Sequence, residues 1–126
     1  MKLEHQIVSL ELANKLKELG VKQESLFYWY ESNHSIVASD IGKLFWYVTY
    51  KDDTALRNEK RVSAFTVAEL GEMLPDFYET YRNGNPDIGW SCREKAMSEI
   101  YTFGKTEADA RAKMLIYLLE NKLITL

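Results

Sequence analysis

The 126-residue chain predicts an α+β fold, an antiparallel sheet of four to five strands with three helices packed on it, in the order α-β-β-α-β-β-(β)-α. Three observations carry this. Two aromatic runs lack any helical stripe, two threonine-led segments open apolar helical patterns, and one dense turn cluster separates two strand-like runs. The aromatic runs, Leu26 to Tyr30 and Leu44 to Tyr50, place eight of the sixteen aromatic residues in twelve positions. Strict alternation would leave one polar face for water; these runs carry rings on both faces, so helix, partner or ligand must cover the far one.

The first helix is predicted from Leu10 to Leu19. Ser9 precedes a one-faced stripe of Leu12, Ala13, Leu16 and Leu19, Glu11 stands four residues before Lys15, and Gly20 is placed to stop the helix. The aromatic runs follow as the first two strands, because aromatic and β-branched side chains suit a pleated surface. Between them Glu31 to Lys43 holds turn formers and Ile36-Val37, a candidate short strand, and Thr54 to Arg61 is a polar connection. Val62 to Phe65 reads as a brief strand entering the second helix.

Thr66-Val67-Ala68-Glu69 has the form of a capping box, with Phe65 and Leu70 at the spacing of a hydrophobic staple. Pro75 disfavours helical geometry in the residue before it, so this helix ends by Leu74. Phe77 to Tyr81 and Ile88 to Cys92 flank Asn83-Gly84-Asn85-Pro86-Asp87, which predicts a hairpin, and Glu99 to Phe103 offers a fifth strand. The third helix is predicted from Glu107 to Asn121, opened by Thr106-Glu107-Ala108-Asp109 and striped by Ala108, Ala112, Leu115 and Leu119. No repeat or linker interrupts residues 1–126, so one domain with one core is expected.

Composition excludes several functions. Sixteen basic against nineteen acidic residues give a charge of −3, which argues against binding duplex nucleic acid through a broad basic surface. The apolar stretches are too short to span a membrane, and the first residues lack the apolar core of a signal peptide, so a cytoplasmic protein is expected. A lone Cys92 rules out an internal disulfide and a cysteine-rich zinc cage. His5 and His34 lie in unrelated segments without metal-ligand spacing, and neither a metal nor a cofactor is expected. Cys92 has no adjacent base and reads as a half-buried strand thiol. Pro86 removes an amide donor and no Gly-Lys-Ser/Thr follows, so the Gly84 to Gly89 segment is a turn and not a phosphate loop. With no coherent catalytic set, the chain reads as a nonenzymatic protein.

What remains is a binding constellation. Rings can stack on nucleobases and arginine forks pair with phosphates, so the candidate ligand- or partner-binding residues are Tyr28, Tyr30, Trp46, Tyr47, Tyr50, Arg57, Arg61, Arg82, Trp90 and Arg93. The competing reading makes the rings ordinary core and the arginines solvated. The tyrosines decide between the two, because a buried hydroxyl must find a partner and often marks a rim.

Three segments, Ser9 through Val21, Ala64 through Pro75 and Thr106 through Ile124, together resemble a family of small proteins without assigned activity, encoded by bacteriophages and prophages of gut bacteria. They cover somewhat under half of the chain. The resemblance transfers no functional residue. It implies an accessory phage gene expressed in a bacterial host cytoplasm, and with the ring and arginine set it suggests a counter-defence binder that sequesters a small nucleotide-like immune signal. The alternatives are a protein inhibitor of a host defence or nucleic-acid-processing protein and an assembly accessory protein. Homo-oligomerisation is a further expectation, since a second copy could cover an aromatic sheet face.

Overall fold

The computed structural model describes residues 3–32, 45–50, 61–95 and 99–126, with the backbone alone for residues 4, 30–32 and 45–50. The predicted Ile36-Val37 strand and Arg57 lie outside these residues. After a single 3-10 turn at Leu3–His5 come α1 (Leu10–Glu18), β1 (Phe27–Ser32), β2 (Phe45–Tyr50), β3 (Arg61–Ser63) and α2 (Val67–Met73). Then follow β4 (Tyr78–Arg82), β5 (Trp90–Glu94), β6 (Tyr101–Gly104) and α3 (Glu107–Glu120). The α+β class and the order of elements are those the sequence predicts. Among the described residues the six strands divide into two antiparallel sheets, ordered β2-β1-β3 and β4-β5-β6, where the sequence predicts a single sheet of four to five strands.

Local chemistry explains the helix ends. Helix α1 stops in a Schellman turn, with Gly20 at φ +88 donating to the Lys17 carbonyl and Val21 donating to that of Leu16. Val21 is then buried, which seals the turn hydrophobically. The α2 capping box is complete: Thr66 Oγ1 accepts from the Glu69 amide at 3.2 Å and Glu69 Oε1 accepts from the Thr66 amide at 3.0 Å. At α3, Thr106 Oγ1 accepts from the Asp109 amide. This helix also closes in a Schellman turn, but with Lys122 in the left-handed region at φ 55.

Ser9 departs from expectation. Its side chain makes no capping bond, and its backbone N–H donates to Asp109 Oδ1 of α3 at 2.8 Å. Lys15 likewise approaches Glu120 of α3 at 4.0 Å, where the spacing along α1 had set it against Glu11. Both contacts tie the first helix to the last. A short antiparallel bridge between Ile7 and Thr66, flanked by Val8 N–H to Phe65 O and Val67 N–H to Gln6 O, fastens the N-terminal segment to the entry of α2.

Helix α3 lies at the centre of the packing and touches α1, α2 and all three strands of the second sheet. Its Ala108, Ala110 and Ala112 are fully buried, as are Met114 and Leu115. Small side chains let the helix approach the sheet, and Gly104 completes that approach. A Cβ on Gly104 would lie 2.4 Å from the Ala110 nitrogen and 2.8 Å from the Asp109 carbonyl carbon. Around α3 the core gathers Val8, Leu16, Val21, Val62, Phe65, Leu70 and Cys92, so both sheets and all three helices share one apolar cluster.

Candidate functional site

Strand alternation sorts the second sheet into two faces. Thr80 points at α3, since its hydroxyl donates to Glu107 Oε1 at 2.6 Å and accepts from Arg111. Arg82 therefore shares the helix-side row, and the register sets it opposite Trp90, which in turn faces Gly104. Glu79 and Tyr81 on β4, Arg93 on β5, and Tyr101 and Phe103 on β6 occupy the opposite, outward face.

The helix side carries a groove where β4 ends, β5 begins and α3 starts. Two adjoining hollows of about 280 and 230 Å³ share Arg82, Trp90 and Lys105 as walls. The first is completed by His5, Val67, Thr106 and Glu107, and the second by the hairpin turn. Taken together they fall within the ~300–1,000 Å³ range of small-ligand pockets. The charges are unequal. Glu107 is engaged by Thr80 and by Arg111 Nη2 at 3.3 Å, and the Asp109 carboxylate is turned to Ser9. Neither Arg82 nor Lys105 forms an ion pair among the described residues, and Lys105 donates to the Asp87 carbonyl oxygen. The groove thus offers two cations, an indole and the amide end of a fourteen-residue helix.

A larger cleft of about 490 Å³ runs between α2 and the sheet. Arg111 forms its floor and is fully employed: Nη1 donates to the Val67 carbonyl at 2.8 Å, Nε and Nη2 to Thr80 Oγ1, and Nη2 to Glu107. Glu72 and Asp76 line much of the rest, which disfavours an anion. Cys92 beside it is completely buried, and desolvation pushes its thiol up to about 11, so it is held as a neutral thiol. The half-buried thiol expected from sequence is a core residue.

The sequence-predicted site residues do not converge. Tyr28 is a correction: it is buried at 5 % exposure, its hydroxyl accepts from the Ser25 amide at 3.3 Å and donates to the Gln23 carbonyl at 3.4 Å, and the Arg61 guanidinium lies 4.5 Å from its ring centre. The ring and the hydroxyl are thereby used inside the fold. Trp29 behaves alike, donating to the Val8 carbonyl at 3.0 Å. Tyr30, Trp46, Tyr47 and Tyr50 are placed by register, Tyr30 opposite Tyr47 and Phe27 opposite Tyr50, while their side chains lie outside the described residues, as does Arg57. Arg61 belongs to the first sheet. Arg82 and Trp90 meet in the groove, and Arg93 sits on the outward face, paired with Glu79 at 3.0 Å and 4.9 Å from the Tyr81 ring centre.

Lys105 and His5 complete the groove and were absent from the sequence-derived set. Lys105 carried a usable signal, since it directly precedes the helix-capping Thr106. His5 gave none, because only the Ile7–Thr66 bridge brings it there. Among the described residues no cluster of three or more His, Cys, Asp or Glu could hold a metal ion, and no helix is long and apolar enough to cross a membrane. Comparison with protein-family models, with curated proteins and with solved structures found no match to the chain.

Proposed function

We propose that this protein is a nonenzymatic binder that captures a small, phosphate-bearing, nucleotide-like ligand in the Arg82–Trp90–Lys105 groove. The observation that carries the reading is the pairing of Arg82 with Trp90 across the β4–β5 hairpin, beside a second cation that has no acidic partner among the described residues. An indole offers a stacking surface for a base, and two cations with a helix amide end favour phosphate oxygens. In the phage setting implied by the helical segments, such a module would sequester a nucleotide immune signal of the host.

Isothermal titration with a panel of cyclic and linear nucleotides tests this. Saturable binding to at least one member is expected, weakened roughly tenfold or more by Trp90→Ala or Arg82→Ala. Arg61→Ala, on the first sheet, should leave that affinity unchanged. A panel that gives no heat, or binding indifferent to both groove substitutions, refutes the assignment.

A further inference from the structure

The outward face of β4–β5–β6 carries a row of rings that the groove does not use. Tyr101 and Phe103 are 40 % and 43 % exposed, with parallel rings 6.3 Å apart between centres. Phe77, whose carbonyl accepts from Lys95 and so prolongs the β4–β5 ladder, is 66 % exposed. Tyr81 lies half-buried beneath Arg93, across Ser91 from Phe103. We propose that this face is the interface between two copies of the chain.

Area and charge both favour a second copy. At roughly 150–250 Å² per ring, Phe77, Tyr101 and Phe103 present about 300 Å² of apolar surface, before Tyr81 is added. A standard interface buries about 800 Å² per partner, a little over half of it apolar, so these rings supply roughly two thirds of the apolar core it needs. The charges are balanced within the face. Glu79 and Arg93 stand side by side, each about one-third exposed, and Lys95 and Glu99 lie exposed at the adjoining strand ends. A twofold axis through such a patch sets Arg93 of one copy against the partner's Glu79 and repeats the contact in reverse, as an isologous interface requires. A single nucleic-acid strand could also stack on rings, but it needs a net positive track, and here the central cation is already engaged by Glu79.

Sedimentation equilibrium of the full chain from low to high micromolar concentration tests the assignment. A reversible dimer is expected. Phe103→Glu should weaken it by about 100-fold or more with far-UV circular dichroism unchanged. If that variant fails to fold, Phe77→Glu, outside the named strands and mostly solvent-exposed, should weaken association in a folded protein. Glu79→Arg alone should loosen the dimer about tenfold, and adding Arg93→Glu should return it to within about threefold of the parent. A monomer across the whole range overturns the proposal, as does a dimer indifferent to both phenylalanine substitutions. A monomer that binds a labelled homopolymeric single strand, and loses it on Phe103→Glu, would reassign the face to nucleic acid. Because the groove lies on the other side of the sheet, nucleotide titration of a monomeric Phe77→Glu variant distinguishes failure here from failure of the groove.

Discussion

Replacing Arg111 by methionine should show how much of the stability depends on one guanidinium. The methionine keeps most of the stem packing and removes every donor. Three acceptors then lose the guanidinium: the Val67 carbonyl in the first turn of α2, Thr80 Oγ1 on β4, and the Glu107 carboxylate one turn earlier on α3, which among the described residues keeps only the Thr80 hydroxyl. Taken as ordinary hydrogen bonds of about 1 kcal/mol net each, the Val67 and Thr80 contacts together contribute about 2 kcal/mol. The Glu107 pair adds no more than about 1 kcal/mol, since its side chains are 23 % and 27 % exposed and solvent screens them. The expected loss is therefore about 2–3 kcal/mol.

An unfolding entropy of about 2.1 cal/mol/K per residue makes each kcal/mol worth about 4 °C in a chain of this length, so Tm should fall by about 8–12 °C. Urea unfolding followed by circular dichroism should give the same loss with an unchanged m-value. Glu107→Gln in a double-mutant cycle should reveal about 1 kcal/mol of coupling to Arg111. A loss below about 0.5 kcal/mol, or a cycle with no coupling, would refute the claim that this side chain fastens α2, β4 and α3 together.

Cys92 gives a pH-dependent test. Its folded pKa of about 11 lies above the ordinary 9.0, so the folded state retains a proton that the unfolded chain releases between those values. Its contribution is intact below about pH 9 and declines toward pH 11 by about 2–3 kcal/mol, and Cys92→Ser should flatten that part of the stability profile. Ser63 is fully buried with a hydroxyl that finds no partner among the described residues, so Ser63→Ala should raise stability by about 1 kcal/mol in urea melts. Gly104→Ala should cost about 3 kcal/mol or more, because its methyl meets the backbone of α3, and a melt within about 1 kcal/mol of the parent would contradict the close approach. Lys122→Gly should stabilise by about 0.5–1 kcal/mol, read by thermal melting, since the position adopts φ 55.

Legibility in the sequence followed the range of the interaction. Thr66, Glu69, Pro75 and Gly20 act within a few residues, and each set its helix boundary to within a residue; the Asn83 to Asp87 turn fixed the hairpin, although β5 begins at Trp90, two residues after the predicted Ile88. The division into two sheets depends on β1 choosing β3 as its second neighbour, a long-range pairing that local patterns do not encode. The polar ties were hidden for the same reason. Glu69 was legible as a cap, but its carboxylate also accepts from Ser25 Oγ at 3.1 Å and the Leu26 amide at 3.3 Å, forty-odd residues away. Tyr28 was misread because ring density near a run of tyrosines looks the same whether the hydroxyl meets a ligand or the Gln23 carbonyl.

The bond from the Ser9 amide to Asp109 spans 100 positions, and it has a temporal meaning. During synthesis α1 emerges long before α3, which forms much of the surface that receives it. Part of the α1 stripe can pack on β3, but the rest of it and the helix side of the second sheet are covered only once α3 is present. Closure of this contact must therefore wait for α3, and it carries the loop-closure entropy of a 100-residue separation. Until then Leu16, Leu70 and the sheet face around Cys92 remain partners in waiting. The nascent chain would depend on chaperones over that interval.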